Sequence, residues 1–235
     1  SSWKYASHNS EYDIPDNWRE LSATLNWPTG QSGFGYGDDD DQTFIDPTIG
    51  LAIRQLFFIE SQDNIASIIL HVDYDDGFIA YINGIEFARD NVCCENPSLD
   101  QLAIGNHEAQ IYQGGYPSEF IIDDWMNIVN DGYNVLAIQV HNVTENSSDM
   151  TIRPFLSIAH HEPDSSYEIS SFLSEQLGSQ SWGHYHTNFK LDSDGEEIIL
   201  SDPNGIVLDS LQFDEIPTDI SYGRRLDDND LWAYF

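Results

Sequence analysis

Short apolar runs, rich in β-branched and aromatic residues and separated by Gly, Asn, Asp and Pro, recur along the chain. No long amphipathic helix interrupts them. The pattern predicts strands over 51–60, 65–74, 78–82, 85–89, 133–142 and 150–160. Asn83-Gly84 lies between two of these runs, and both residues tolerate positive φ, so 78–89 is predicted as a tight hairpin. Residues 123–129 suit one short helical turn before the Asp131-Gly132 break. A polar run, Glu162-Pro163-Asp164-Ser165-Ser166, marks a boundary and divides 1–160 from 161–235. Beyond it, 169–177 suits a short helix stopped by Gly178. Strands return over 187–191, 197–201 and 205–213, with tight turns at Asp194-Gly195 and Asn204-Gly205. No internal repeat is visible. The expected class is all-β.

Composition adds room for a core and a strong charge bias. The 235 residues are 40% hydrophobic and 13% aromatic, enough for one large sandwich or two small domains. Acidic residues number 41 against 8 Lys plus Arg, a formal net charge of −33. Such a surface argues against nucleic acid or anionic lipid as a partner. It favours bound cations, or simply an acidic, soluble surface suited to salty water. No apolar run approaches the roughly 18–20 residues of a membrane span. No signal peptide is visible and the chain opens at Ser1, so it reads as a processed or trimmed product. The two cysteines, Cys93 and Cys94, are adjacent, and neighbouring cysteines rarely pair with each other. They are either reduced and partly buried or bonded to another chain. Asn142-Val143-Thr144 and Asn146-Ser147-Ser148 fit the glycosylation triplet.

Three stretches carry a resemblance: Gly35-Tyr36-Gly37-Asp38-Asp39-Asp40-Asp41-Gln42-Thr43; the segment running from Val72-Asp73-Tyr74-Asp75-Asp76-Gly77 through Asn83-Gly84 to Asp90-Asn91; and Gly132-Tyr133-Asn134-Val135-Leu136-Ala137-Ile138-Gln139-Val140-His141-Asn142 with Ser147-Ser148-Asp149. In this order they resemble galactose-binding-like jelly-roll domains of large secreted bacterial proteins, over roughly residues 3–159. His186-Thr187-Asn188-Phe189-Lys190-Leu191, Gly195-Glu196 and Ile220-Ser221-Tyr222-Gly223-Arg224 resemble the later half of a bacterial lamin-tail domain, an immunoglobulin-like sandwich. The opening of that family is not recognisable here. The resemblances imply a jelly-roll β-sandwich followed by a smaller immunoglobulin-like β segment, a secreted or cell-surface setting, and no catalytic machinery.

The chief chemical candidate is the turn with Asp73, Asp75 and Asp76 before Gly77. Calcium takes six to eight oxygens from carboxylates, carbonyls and water. Two adjacent carboxylates with a third two residues earlier supply several. Asp-Asp-Gly before a strand also resembles the calcium-dependent sugar site of PA14-type adhesins, where the acidic pair holds the ion and the ion binds sugar hydroxyls. The plainer alternative is that Asp75 and Asp76 cap the turn by accepting backbone N–H groups. The second candidate is the run Asp38, Asp39, Asp40 and Asp41, whose mutual repulsion a cation would relieve. It lacks EF-hand spacing, and a solvated acidic loop explains it equally well.

Sugars stack on flat rings. Trp3, Trp18, Trp27, Tyr36, Tyr112, Tyr116 and Trp125 are available. Trp27, Tyr36 and Tyr116 lie in Gly/Pro-rich loops and are the preferred exposed platforms, although most aromatic residues serve a core. His160-His161 and His184-Tyr185-His186 would need further convergent ligands to hold zinc. No nucleophile elbow, phosphate-cradling loop or zinc-protease helix is present. A paired-carboxylate glycosidase is left open by composition alone, but no spacing singles out a pair. The leading expectation is a non-catalytic glycan- or surface-binding module with structural calcium. The alternative is a subunit of an extracellular fibre or surface layer, self-associating through exposed strand edges. A half sandwich leaves 198–200, 206–208 and 231–235 to be covered, by the first domain or by strand addition from a neighbouring chain. The short linker near Pro163 slightly favours cover within the chain.

Overall fold

A computed structural model describes residues 2–37, 41–161, 192, 194–202, 205–217, 220–224 and 231–234. The expected helix over 169–177, the strand over 187–191, His184, His186 and the acids Asp38, Asp39 and Asp40 lie outside the described residues. The chain divides into two compact units, Ser1–Ile158 and Ala159–Phe235. It is all-β.

Strands of the first unit are β1 (Trp3–Ser7), β2 (Thr29–Gly30), β3 (Phe34–Tyr36), β4 (Thr43–Phe44), β5 (Gly50–Ile59), β6 (Ile65–Asp75), β7 (Gly77–Ile82), β8 (Ile85–Asp90), β9 (Ser118–Ile121), β10 (Gly132–His141) and β11 (Met150–His160), whose last residues enter the second unit. One helical turn, α1 (Trp125–Ile128), falls where the sequence suggests it. The first sheet has the order β2-β1-β5-β10-β7-β8. The second joins β4, β3, β11, β6 and β9. From β5 onward the chain crosses between the two sheets at almost every step, which is the jelly-roll manner of wrapping a sandwich.

Alternation explains what each strand buries, because successive side chains point to opposite faces. Leu51 and Ile53 of β5, Phe78, Ala80 and Ile82 of β7, and Leu136, Ile138 and Val140 of β10 face the second sheet. There they meet Phe34, Ile68, Leu70, Val72, Tyr74, Met150 and Ile152. The intervening residues Ala52, Ile79, Tyr81 and Ala137 belong to another cluster with Trp18, Leu25 and Trp27. The segment carrying those tryptophans therefore covers the outer face of the first sheet. That double cover is why all six positions of β7 are buried. Each buried Leu, Ile, Val or Phe among them is worth about 1.5–3 kcal/mol.

The hairpin turn is as the sequence requires. Asn83 and Gly84 have φ of 53° and 86°. Asn83 also donates to the Ile128 carbonyl (2.8 Å) and accepts from the Val135 amide (3.0 Å), tying the turn to its neighbours.

The second unit contains an antiparallel pair, β12 (Gly195–Ser201) with β13 (Val207–Asp214), and a shorter pair, β14 (Tyr222–Arg224) with β15 (Trp232–Tyr234). His160 at the end of β11 pairs with Tyr234. Tyr222, Trp232 and Tyr234 stack together, with the Arg224 guanidinium over Trp232.

Candidate functional site

The β6–β7 turn sits at one end of the sandwich beside the end of β10. Its three acids are all buried: Asp73 is 1% exposed, Asp75 4% and Asp76 4%. Buried carboxylates need partners, and they find different ones. Asp73 accepts the Gln110 amide at 2.7 Å and the Ile111 amide at 3.0 Å. Asp76 accepts the His107 amide at 2.9 Å and the Val143 amide at 2.8 Å. These two acids staple the 107–111 loop and the chain after β10 onto the turn. The amide-capping alternative thus describes Asp76, and Asp73 does the same work for a more distant loop. The ring of His107 stacks on Tyr74, with centroids 4.0 Å apart and planes 4° from parallel, and so anchors this loop further.

Asp75 faces other acids. Carboxylate oxygens of Asp75, Glu108 and Asp149 all lie within 4.8 Å of one another. Asp75 is buried, Asp149 half-buried and Glu108 exposed, so the group opens to solvent on one side. Burial, followed by the charges of Asp76, Asp149 and Glu108, pushes the Asp75 carboxyl up to about 8. Three carboxylates this close repel unless a proton or a cation intervenes.

The Tyr36 phenol adjoins the group. It is raised chiefly by burial, and the charges of Asp149 and Asp75 press on it as well. It donates to the Ser147 carbonyl (3.4 Å) and accepts from the Asn142 amide nitrogen (2.9 Å). Asn142 gives its other N–H to the Thr48 carbonyl (2.9 Å). Its Oδ1 is buried and has no hydrogen-bond partner. An orphaned buried amide oxygen costs about 1–3 kcal/mol. A hard cation takes carboxylate oxygens, so the three converging carboxylates fit calcium. Asn142 is 0% exposed, which closes that glycosylation triplet in the folded chain. The side chain of Asn146 is exposed.

The remaining expected residues lie elsewhere. Asp41 is 5% exposed, and a Cβ added at Gly35 would come within 2.5 Å of its Oδ2, so its carboxylate turns inward. Trp27 was expected as an open platform and is instead 5% exposed. Its ring packs on Trp18 and its Nε1 donates to the Asp13 carbonyl, because the outer sheet face needs an apolar cover. Tyr36 is half-buried beside the acidic group, and Tyr116 is 39% exposed on the loop before β9. Glu108, Asp149 and the free oxygen of Asn142 are the residues that sequence reasoning did not assign. Asp149 and Asn142 end the two parts of the third family-like stretch, the one signal that pointed toward them.

A second concavity, of about 610 Å³, is lined by His8, Asp16, Trp18, Arg19, Asp100 and Gln139 among others. Arg19 lies over the rings of Trp18 and Tyr81 and donates to the Gln139 Oε1 at 2.6 Å. Gln139 in turn donates to the Pro97 carbonyl at 2.9 Å.

No family model and no curated protein matches the chain. Solved structures do. A β-glucuronidase from glycoside hydrolase family 2 matches at 16% identity and TM-score 0.37, over 60% of this chain and 13% of that one. A β-glycosidase from Bacteroides vulgatus matches at 13% identity and TM-score 0.37, over 90% and 26%. An α-L-rhamnosidase from Streptomyces avermitilis, complexed with L-rhamnose, matches at 14% identity and TM-score 0.32, over 69% and 12%. The chain therefore spans about a quarter or less of each of these enzymes. Among the described residues, no helix is long and apolar enough to cross a membrane.

Proposed function

We propose that the chain is a non-catalytic extracellular binding module that holds a glycan, or another hydroxyl-rich surface component, at a calcium ion in the β6–β7 apex. The observation that carries this is the convergence of Asp75, Glu108 and Asp149, from three separate stretches, on one small solvent-facing space. When bound, calcium would supply the positive charge these acids lack and leave coordination positions for ligand hydroxyls. Asp75, Glu108 and Asp149 would hold it. Asp73 and Asp76 position the loops that carry these ligands. Tyr36 stiffens the floor, and Tyr116 is the exposed ring best suited to a sugar face. In this reading the first unit is a galactose-binding-like jelly roll and the second a lamin-tail-like segment.

Glycan-array binding with calcium and with chelator tests the proposal. Signals that appear with calcium and vanish both with chelator and in Glu108→Gln support it. Chelator-independent signals, or none, refute it. A second reading, self-association into a fibre or surface layer, has one observation in its favour. Among the described residues, Ile199 and Leu200 of β12 and Val207 and Leu208 of β13 are all more than half exposed on a two-stranded sheet. Two strands alone are marginal in water and gain from added partners.

A further inference from the structure

Neighbouring side chains in an extended strand project to opposite faces. Cys93 and Cys94 escape that rule. The chain leaves β8 at Asn91, whose φ is 56°, and Cys94 has φ of 71°. The left-handed φ of Cys94 turns the backbone at the pair itself, and the two sulfurs lie 2.6 Å apart. Both cysteines are free, Cys93 half-buried and Cys94 exposed. The loop is held without help from sulfur. The Arg89 guanidinium donates to the carbonyls of Val92 (3.3 Å) and Cys94 (2.6 Å) while pairing with Glu86. The Asn91 side chain donates to the carbonyls of Asp76 (2.9 Å) and Gly105. The pair is therefore presented on a fixed turn, accessible to small molecules.

We propose that Cys93 and Cys94 are a redox-active vicinal dithiol that closes into a two-residue disulfide ring by exchange with low-molecular-weight disulfides. The thiolate of exposed Cys94 attacks one sulfur of such a disulfide. That bond breaks, one small thiolate leaves and is protonated, and a mixed disulfide remains on Cys94. The thiolate of Cys93 then attacks the Cys94 sulfur and expels the second small thiol. The protein pair is oxidised by two electrons, and one small disulfide is reduced to two thiols. Adjacent Cα atoms are about 3.8 Å apart, short of the about 4.4 Å at which ordinary disulfides begin. The ring is consequently easy to reduce again, which suits a reversible switch better than a permanent cross-link. Because the sulfurs are already juxtaposed, the loop is pre-arranged for closure.

The test uses the whole chain and oxidised glutathione as probe, followed by alkylation in denaturant and intact-mass measurement. The expected product is lighter by the mass of two hydrogens and carries no alkyl label, and dithiothreitol restores both labels. Cys93→Ser is expected to stop at a glutathione adduct on Cys94. Closure in the folded chain should be at least about tenfold faster than in urea, because the fold pre-orients the pair. A stable glutathione adduct on the parent chain, a disulfide-linked dimer, two untouched thiols, or equal rates in the folded and denatured states would each overturn the proposal. None of these outcomes depends on whether the apex binds calcium.

Discussion

Replacing Asp75 by Asn should stabilise the metal-free protein and abolish its response to calcium. The side chains are nearly isosteric, so the main change is the loss of a buried charge. The Asp75 carboxyl is pushed from 3.8 to about 8, by burial first and by Asp76, Asp149 and Glu108 after it. Each unit of that rise corresponds to about 1.4 kcal/mol. Water entering beside exposed Glu108 screens part of it, and halving for this leaves about 2–3 kcal/mol at pH 8. For a unit of this size 1 kcal/mol moves the melting temperature by about 2–4 °C. In chelator at pH 8, Asp75→Asn should therefore melt roughly 4–12 °C above the parent. Calcium should close the gap. A ligand at a hundredfold excess over its Kd adds about 2.7 kcal/mol to the state that binds it, and the parent alone should gain this. Differential scanning calorimetry in EDTA and in calcium reads all four values. A variant that melts at or below the parent in EDTA, or that keeps the calcium shift, would refute the reasoning.

The same carboxyl sets a pH dependence. Its folded-state pKa lies above the unfolded value, so its contribution is fully present below pH 4 and is lost as pH rises to about 8. The parent-minus-variant stability should fall across that window in chelator, whereas calcium affinity should rise across it, since the ligand must be deprotonated. His141 acts on the acid side. Burial lowers it from 6.5 to about 4, so its contribution is present above pH 6.5 and is lost as pH falls toward 4, and His141→Gln should flatten that limb of the stability curve. Gly84→Val places a β-branched residue at φ 86° and should cost about 1–3 kcal/mol; unchanged urea unfolding would mean that the turn does not need positive φ. Light scattering across a concentration series, with and without reductant, should show a monomer if −33 of net charge outweighs the exposed β12–β13 face. Concentration-dependent growth would favour the fibre reading.

What was legible in the sequence follows from what acts locally. The hairpin showed because Asn83-Gly84 is a turn signal that works within four residues. The long central strands β5, β6, β10 and β11 showed because each is a run of ten or eleven residues rich in β-branched and aromatic side chains, and their predicted ends fall within a residue or so of the observed ones. Strands β1 to β4, β9, β14 and β15 are five residues or fewer and lack a period to read. Trp27 was misjudged because Gly and Pro nearby signal a loop but not what the loop covers. At the apex, the Asp75-Asp76-Gly77 turn was visible, yet its division of labour was not. Whether a carboxylate meets backbone amides, as Asp76 does, or other carboxylates, as Asp75 does, depends on loops far along the chain. Glu108 carries no local signature of a ligand at all.

The most direct test is a crystal structure grown with calcium and repeated with a lanthanide in its place, with anomalous difference maps. The account predicts a peak at the β6–β7 apex with oxygens of Asp75, Glu108 and Asp149 at about 2.3–2.6 Å. An apex without a peak, or ions confined to the acidic segment before Gln42, would contradict it.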